Sequence, residues 1–186
     1  MAWLIGLGVL VVIALIVIML YNRLVATRNQ TNNAWKQIDV QLKRRHDLIP
    51  NLVEVVKDYM SYEQETLKQV IEARNQAVKA PTPAAAMQAE NALSGAMGKL
   101  FAVMEAYPDL KANQNFLQLQ EELSDIENKL AAARRFFNGA TTEYNNAVES
   151  FPGNLIARNF GFQREILFDL GTDTRKAMEE PPKIQF

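Results

Sequence analysis

Residues Ala2–Tyr21 read AWLIGLGVLVVIALIVIMLY, a run with no charged side chain. At a rise of about 1.5 Å per residue, these 20 residues cover about 30 Å, the thickness of a bilayer's hydrocarbon core. In lipid every backbone N–H and C=O must be satisfied within the segment, and a helix does this. Trp3 and Tyr21 stand near the two ends of the run, where amphipathic rings favour the membrane–water interface. The segment therefore reads as a transmembrane anchor over residues 1–22. A secretory signal fits poorly, because no basic residue precedes the run, the run is too long and no small-x-small cleavage site follows it. The expectation is an uncleaved single-pass membrane protein. Arg23, Arg28 and Lys36 follow the span before the first acid, Asp39. Arg23 and Arg28 lie within reach of anionic headgroups. The positive-inside rule then puts the body in the cytoplasm with the amino terminus outside, and the periplasmic or extracellular arrangement is the alternative.

Beyond the anchor, residues 23–168 read as a bundle of long helices, and residues 169–186, with Pro181–Pro182, as an extended tail. From Trp35 the residues Ile38, Leu42, Arg45, Ile49, Leu52, Val56, Tyr59, Glu63, Thr66 and Val70 recur at alternating three- and four-residue spacing. This stripe belongs to a segment from Asn22 to Ala80, with a kink or break expected at His46–Pro50 because proline removes a backbone donor. Pro81 and Pro83 end it. A second stripe, Ala89, Leu93, Ala96, Leu100, Val103 and Tyr107, contains Gly95 and Gly98, whose cost in helix propensity suggests close helix contact. A third runs without a miss from Phe116 through Leu123, Leu130, Phe137 and Tyr144 to Phe151, and Pro152–Gly153 stops it. A last element, Asn154 to about Phe168, is aromatic. It reads as a segment folded back to cap the bundle, with a second membrane contact as the rival. Stripes this long pack at small crossing angles, and short turns favour antiparallel neighbours. The fold class is all-α, an N-terminal transmembrane helix followed by an antiparallel bundle.

Composition narrows the chemistry. A net charge of −1 gives no reason to expect nucleic acid as a partner. The absence of cysteine removes disulfides, iron–sulfur clusters and thiol catalysis. The single histidine, His46, has Lys43 rather than an acid three residues before it, so the Glu-x-x-His pattern of di-iron bundles is missing. Beside Arg44 and Arg45 it reads as a solvated residue on a basic helix face. No nucleophile elbow, phosphate loop or dinucleotide fingerprint occurs. No catalytic residue, metal site or cofactor is expected. Arg45 and Glu63 lie on the first stripe, and a charge on a packing seam needs a partner or a route to water. They are expected either to pair across helices or to snorkel out at the seam's edge. Glu121, Glu122 and Asp125 belong to an acidic stretch that reads as a solvated face or as a docking surface for a basic partner.

Three long segments also carry a resemblance. AWKQIDVQLKRRHDLIPNLVEVVKDY (residues 34–59), AENALSGAMGKLFAVMEAYPDLKANQNFLQLQEELSDIENKLAAARRFFN (residues 89–138) and YNNAVESFPGNLIARNFGF (residues 144–162) resemble the LemA family of bacterial membrane proteins. His46 stands where that family more often has a small residue, which speaks against a family catalytic role for it. The resemblance implies long antiparallel helices on an amino-terminal anchor in a bacterial cell membrane, and it brings no catalytic residues. Together, these readings lead to the expectation of a non-enzymatic scaffold that self-associates at the bilayer as a homo-oligomer, or alternatively an adaptor or regulator of another membrane protein such as a protease or sensor.

Overall fold

The computed structural model describes residues 1–168; the expected extended tail, 169–186, lies outside the described residues. Among the described residues all regular structure is helical: α1 (Ala2–Lys57), α2 (Gln64–Val78), α3 (Pro83–Met104), α4 (Pro108–Lys111), α5 (Gln114–Glu149) and α6 (Gly153–Phe160). The all-α expectation holds, as does the apolar helix at the amino terminus. The break does not fall where proline suggested. Pro50 lies inside α1, and the chain leaves the helix only after Lys57. Proline removes one donor from a ladder of i to i−4 bonds, and a helix can absorb that loss when the orphaned carbonyl finds another partner. The segment from Asn22 to Ala80 is thus interrupted at residues 58–63, between α1 and α2, rather than at His46–Pro50.

The chain forms two compact units, one with the end of α1, the helices α2 to α4 and the start of α5, the other with the first part of α1, the rest of α5 and the segment after it. One comprises Val40–Leu130. Its core is made by the stripes: Ile49, Leu52 and Val56 from α1, Val70 from α2, Leu93 and Leu100 from α3, Phe116 and Leu123 from α5. Its turns are specified locally. The Thr82 hydroxyl accepts the Ala85 N–H (3.2 Å), and Pro83 occupies the first turn of α3, where its missing donor costs nothing. The Asn113 side chain accepts the Phe116 N–H (3.1 Å) to start α5 and donates to the Tyr59 hydroxyl (2.9 Å), fixing the stretch that follows α1. Gly95 and Gly98 are exposed, and a Cβ at either would meet nothing within 4 Å, so close helix contact is not their reason.

The other unit comprises Met1–Asp39 and Ala131–Leu167. Here Leu24, Ala34 and Ile38 of α1 are buried with Phe137, Ala140 and Tyr144 of α5. The Trp35 and Phe137 rings meet edge to face, 5.5 Å between centroids. At the turn from α5 to α6, a Cβ on Gly153 would lie 2.5 Å from the Ala147 carbonyl oxygen, so only glycine permits this approach. Gly161, at φ +73°, ends α6 in the left-handed conformation, and the Phe162 N–H donates to the Ala157 carbonyl (3.0 Å), a Schellman-type stop. The last element is thus an eight-residue helix and a non-helical strap rather than one piece to Phe168. Asn145 holds the strap by both groups of its amide, donating to the Glu165 carbonyl (3.0 Å) and accepting the Glu165 N–H (2.9 Å).

Candidate functional sites: a buried charge cluster and an aromatic collar

Within the Val40–Leu130 unit, four helices meet around a charged group in the core. Glu90 of α3 is 1% exposed. Its two carboxylate oxygens face two donors from α1: Oε2 accepts Arg45 Nη1 at 2.9 Å, and Oε1 lies 2.5 Å from His46 Nε2. With Glu90 the acceptor, the imidazole is the donor on that side. Arg45 also donates through Nη2 to the Ser94 hydroxyl (3.1 Å), and its Nε forms an ion pair at 2.9 Å with Glu127 of α5. That last contact is ionic, since Arg45 Nε makes no hydrogen bond. A guanidinium spreads its donors in a rigid plane, so one Arg can register α1 against α3 and α5 at once.

The same place explains the unbroken helix. Pro50 has no N–H, which leaves the carbonyl four residues earlier, on His46, without its helical partner. Arg74 of α2 supplies the donor: its Nε reaches the His46 carbonyl at 3.1 Å. His46 therefore carries two cross-helix contacts, Glu90 at its ring and Arg74 at its backbone. It is buried, not solvated on a basic face as the neighbouring arginines suggested. Lys43 and Arg44 are the members of that basic run that stay exposed.

Arg45 thus lies in the core with acidic partners on two helices. Glu63 stands elsewhere, half-buried at the start of α2. Its carbonyl accepts the Leu67 N–H (3.2 Å) and its carboxylate does not cap the helix. The ion pairs among the described residues include Arg45 and not Glu63. Glu121, Glu122 and Asp125 are exposed on α5; Gln118 donates to Glu122 (3.1 Å) and Lys129 pairs with Asp125 (2.6 Å) one turn away. Glu90 was not singled out from the sequence. The signal was present: Met87, Glu90, Leu93, Met97, Leu100 and Met104 are all buried, and the acid occupies a regular position of that stripe. Among the described residues no group of His, Cys, Asp and Glu could hold a metal ion.

The second site is in the other unit, at the end of the apolar run. The first helix contains a stretch long and apolar enough to cross a membrane, and its side chains there are exposed. Trp3 is 81% exposed near one end of that stretch. At the other end the Tyr21 ring packs edge to face against Phe160 (5.0 Å) and Phe162 (5.7 Å), and the Arg28 guanidinium lies 6.0 Å from the Phe162 ring centre. Arg23 is exposed and lines a small hollow with Leu20, Phe151 and Gly153. Behind this collar Tyr144 is buried. Burial raises its phenol above the ordinary 10.0, the Arg28 charge works against that rise, and the Glu165 charge adds to it.

The chain is 27% identical to Protein LemA of Metamycoplasma hominis, over 79% of this chain and 68% of that protein. It is 25% identical to Magnetosome protein MamQ 2 of Paramagnetospirillum magneticum, over 87% of this chain and 70% of that protein. It is 24% identical to Magnetosome protein MamQ of Magnetospirillum gryphiswaldense, over 79% of this chain and 64% of that protein. The LemA family model matches residues 34–186, which takes in the buried cluster, the aromatic strap and all of α2 to α6, and the chain accordingly belongs to the LemA family.

Proposed function

We propose that this protein is a membrane-anchored helical scaffold that self-associates at the bilayer and catalyses no reaction. The observation that carries the reading is the continuity of α1, one helix from Ala2 to Lys57 that begins as an exposed apolar segment and ends with Ile49, Leu52 and Val56 in a packed core. The described polar cluster supports the absence of catalysis. Glu90 and Arg45 are enclosed and spend their hydrogen bonds on one another and on neighbouring helices, which suits registration better than turnover. Self-association has a physical motive, because copies confined to one membrane face each other at high effective concentration. Gly6 and Gly8 leave room for close approach in lipid. The proposed place is a bacterial cell membrane, with the body on the cytoplasmic side. A reporter fused to the carboxy terminus, active on one side only, reads that orientation. Mass measurement of the full-length protein in nanodiscs tests the scaffold; a single size corresponding to one chain per disc at all loadings overturns it.

A cleft favours a second reading, an adaptor for another membrane protein. The end of α1 and the start of α2 border an open cavity of about 800 Å³, with Val53, Met60, Leu67 and Ile71 as its apolar lining and Lys57 and Asp58 among its polar residues. Photocrosslinking from Ser61 in intact membranes distinguishes the two: crosslinks between copies fit the scaffold, and one dominant foreign product fits the adaptor.

A further inference from the structure

Helix α6, with Phe151 just before it, carries apolar side chains that the fold leaves largely uncovered. Phe151 is 79% exposed, Leu155 52% and Phe160 59%, while Gly153 and Ala157, opposite Leu155 on the helix, are buried. Both ends of this helix lie at one level of α1. Its start borders a hollow with Leu20, Arg23 and Leu24, and its last residue, Phe160, touches the Tyr21 ring. An eight-residue helix is about 12 Å long, whereas Leu20 and Leu24 are separated by only about 6 Å along the α1 axis. Its two ends therefore span little of α1's length, and α6 lies across α1 rather than along it. That level is the last turn of the uncharged run, where Leu20 and Tyr21 give way to Asn22 and Arg23.

We propose that α6 is a second membrane contact: an interfacial helix that lies in the plane of the bilayer surface, with Phe151, Leu155 and Phe160 inserted among lipid headgroups and upper acyl chains. Exposed aromatic and aliphatic side chains at the end of an apolar span have this preference. The exposed basic residues Arg23 and Arg158 stand at the same level and meet lipid phosphates. The occupant is lipid rather than protein because the patch adjoins the apolar span: the Tyr21–Phe160 contact joins the two surfaces. Gly153 and Gly161 make the arrangement possible, the first by letting α6 start against the Ala147 carbonyl and the second by turning the chain away after Phe160. Two contacts set the tilt and rotation of α1, which one span leaves free.

This inference rests on the anchor reading, and the test separates the two. The protein has no cysteine, so single-site spin labelling needs no background substitutions. Phe151→Cys, Leu155→Cys, Ile18→Cys and Ser124→Cys are each labelled in the full-length chain, in vesicles containing anionic phospholipid. Collision with oxygen, which concentrates in lipid, is compared with collision with a water-soluble nickel chelate. The expected result is an oxygen-to-nickel ratio at positions 151 and 155 several-fold above that at 124 and approaching that at 18. Low ratios at 151 and 155 with a high ratio at 18 overturn the α6 contact and leave the anchor standing. A low ratio at 18 removes the anchor and the inference together. Exclusion of both reagents at 151 and 155, with spectral broadening that disappears on dilution with unlabelled chain, assigns the face to a second copy and overturns the lipid contact.

Discussion

The two ends of α1 reverse the ordinary relation between polarity and burial. Over its first twenty residues the helix is uncharged and, apart from half-buried Val17 and Leu20, exposed; around residue 45 it is charged and buried. Neither half breaks a physical rule. An apolar exposed surface asks for a solvent other than water, and a buried charge asks for a partner. The first half contains no partner requirement, so any apolar residue serves at almost any position. The second half depends on particular atoms: Arg45 Nη1 on Glu90 Oε2, His46 Nε2 on Glu90 Oε1, Arg74 Nε on the His46 carbonyl. Tolerance to substitution should differ accordingly, permissive in the span and specific in the cluster.

Glu90 gives the largest expected effect. Glu90→Ala leaves Arg45 and His46 facing an empty site, and breaking a buried pair from one side costs about 3–5 kcal/mol. Unfolding of the detergent-solubilised protein followed by circular dichroism measures this. Replacing the pair with apolar residues, Arg45→Met with Glu90→Leu, is expected to recover most of that loss, because the desolvation cost goes with the charges. If the double variant is no more stable than Glu90→Ala alone, pairing is not what the cluster contributes.

Gly153 sharpens the comparison from the other unit. Gly153→Ala puts a methyl group 2.5 Å from the Ala147 carbonyl oxygen, and crowding of this kind costs about 1–3 kcal/mol. Faster hydrogen exchange is expected in α6 and the strap, with the Val40–Leu130 core unaffected. The same substitution at Gly95 or Gly98, where the space is open, is expected to be neutral or stabilising by up to about 1 kcal/mol.

Arg74 and Pro50 are expected to be coupled. Arg74→Met orphans the His46 carbonyl and costs about 1–3 kcal/mol. In a Pro50→Ala background the restored N–H accepts that role, so the cost of Arg74→Met should fall. Additive losses in the double-variant cycle would mean that Arg74 acts by some other contact.

Tyr144 carries the smallest expected effect. Its phenol is raised in the folded state, mainly by burial, so ionisation favours the unfolded chain. The neutral tyrosine's contribution is complete below pH 10.0 and declines as the pH rises from there through the folded value. Tyr144→Phe should flatten that alkaline loss without altering stability at neutral pH by the same mechanism; an unchanged slope would assign the loss to other groups.

Much of this was readable in the sequence wherever a pattern repeats. The third stripe, Phe116 to Tyr144, became α5 with nearly every named residue buried, and Phe151, the last of the series, is the exposed exception. The family likeness rested on long ordered segments and is matched over residues 34–186. What failed was local inference about single residues. Pro50 suggested a kink or break, yet the helix runs on past it, and a side chain 24 residues further on supplies the donor for the carbonyl that proline leaves free. His46 suggested a solvated base, and an acid 44 residues away took it into the core. Gly95 and Gly98 suggested close packing that α3 does not make.

The sequence by itself determined the helices, the apolar segment able to enter a bilayer and the faces that must be covered, because these follow from periodicity and from solvation averaged over many residues. Only the tertiary structure decided which charges are buried, which glycine is obligatory and where α6 lies. Each of those depends on atoms brought within about 3 Å of each other from distant parts of the chain, and contact at that range leaves no periodic trace.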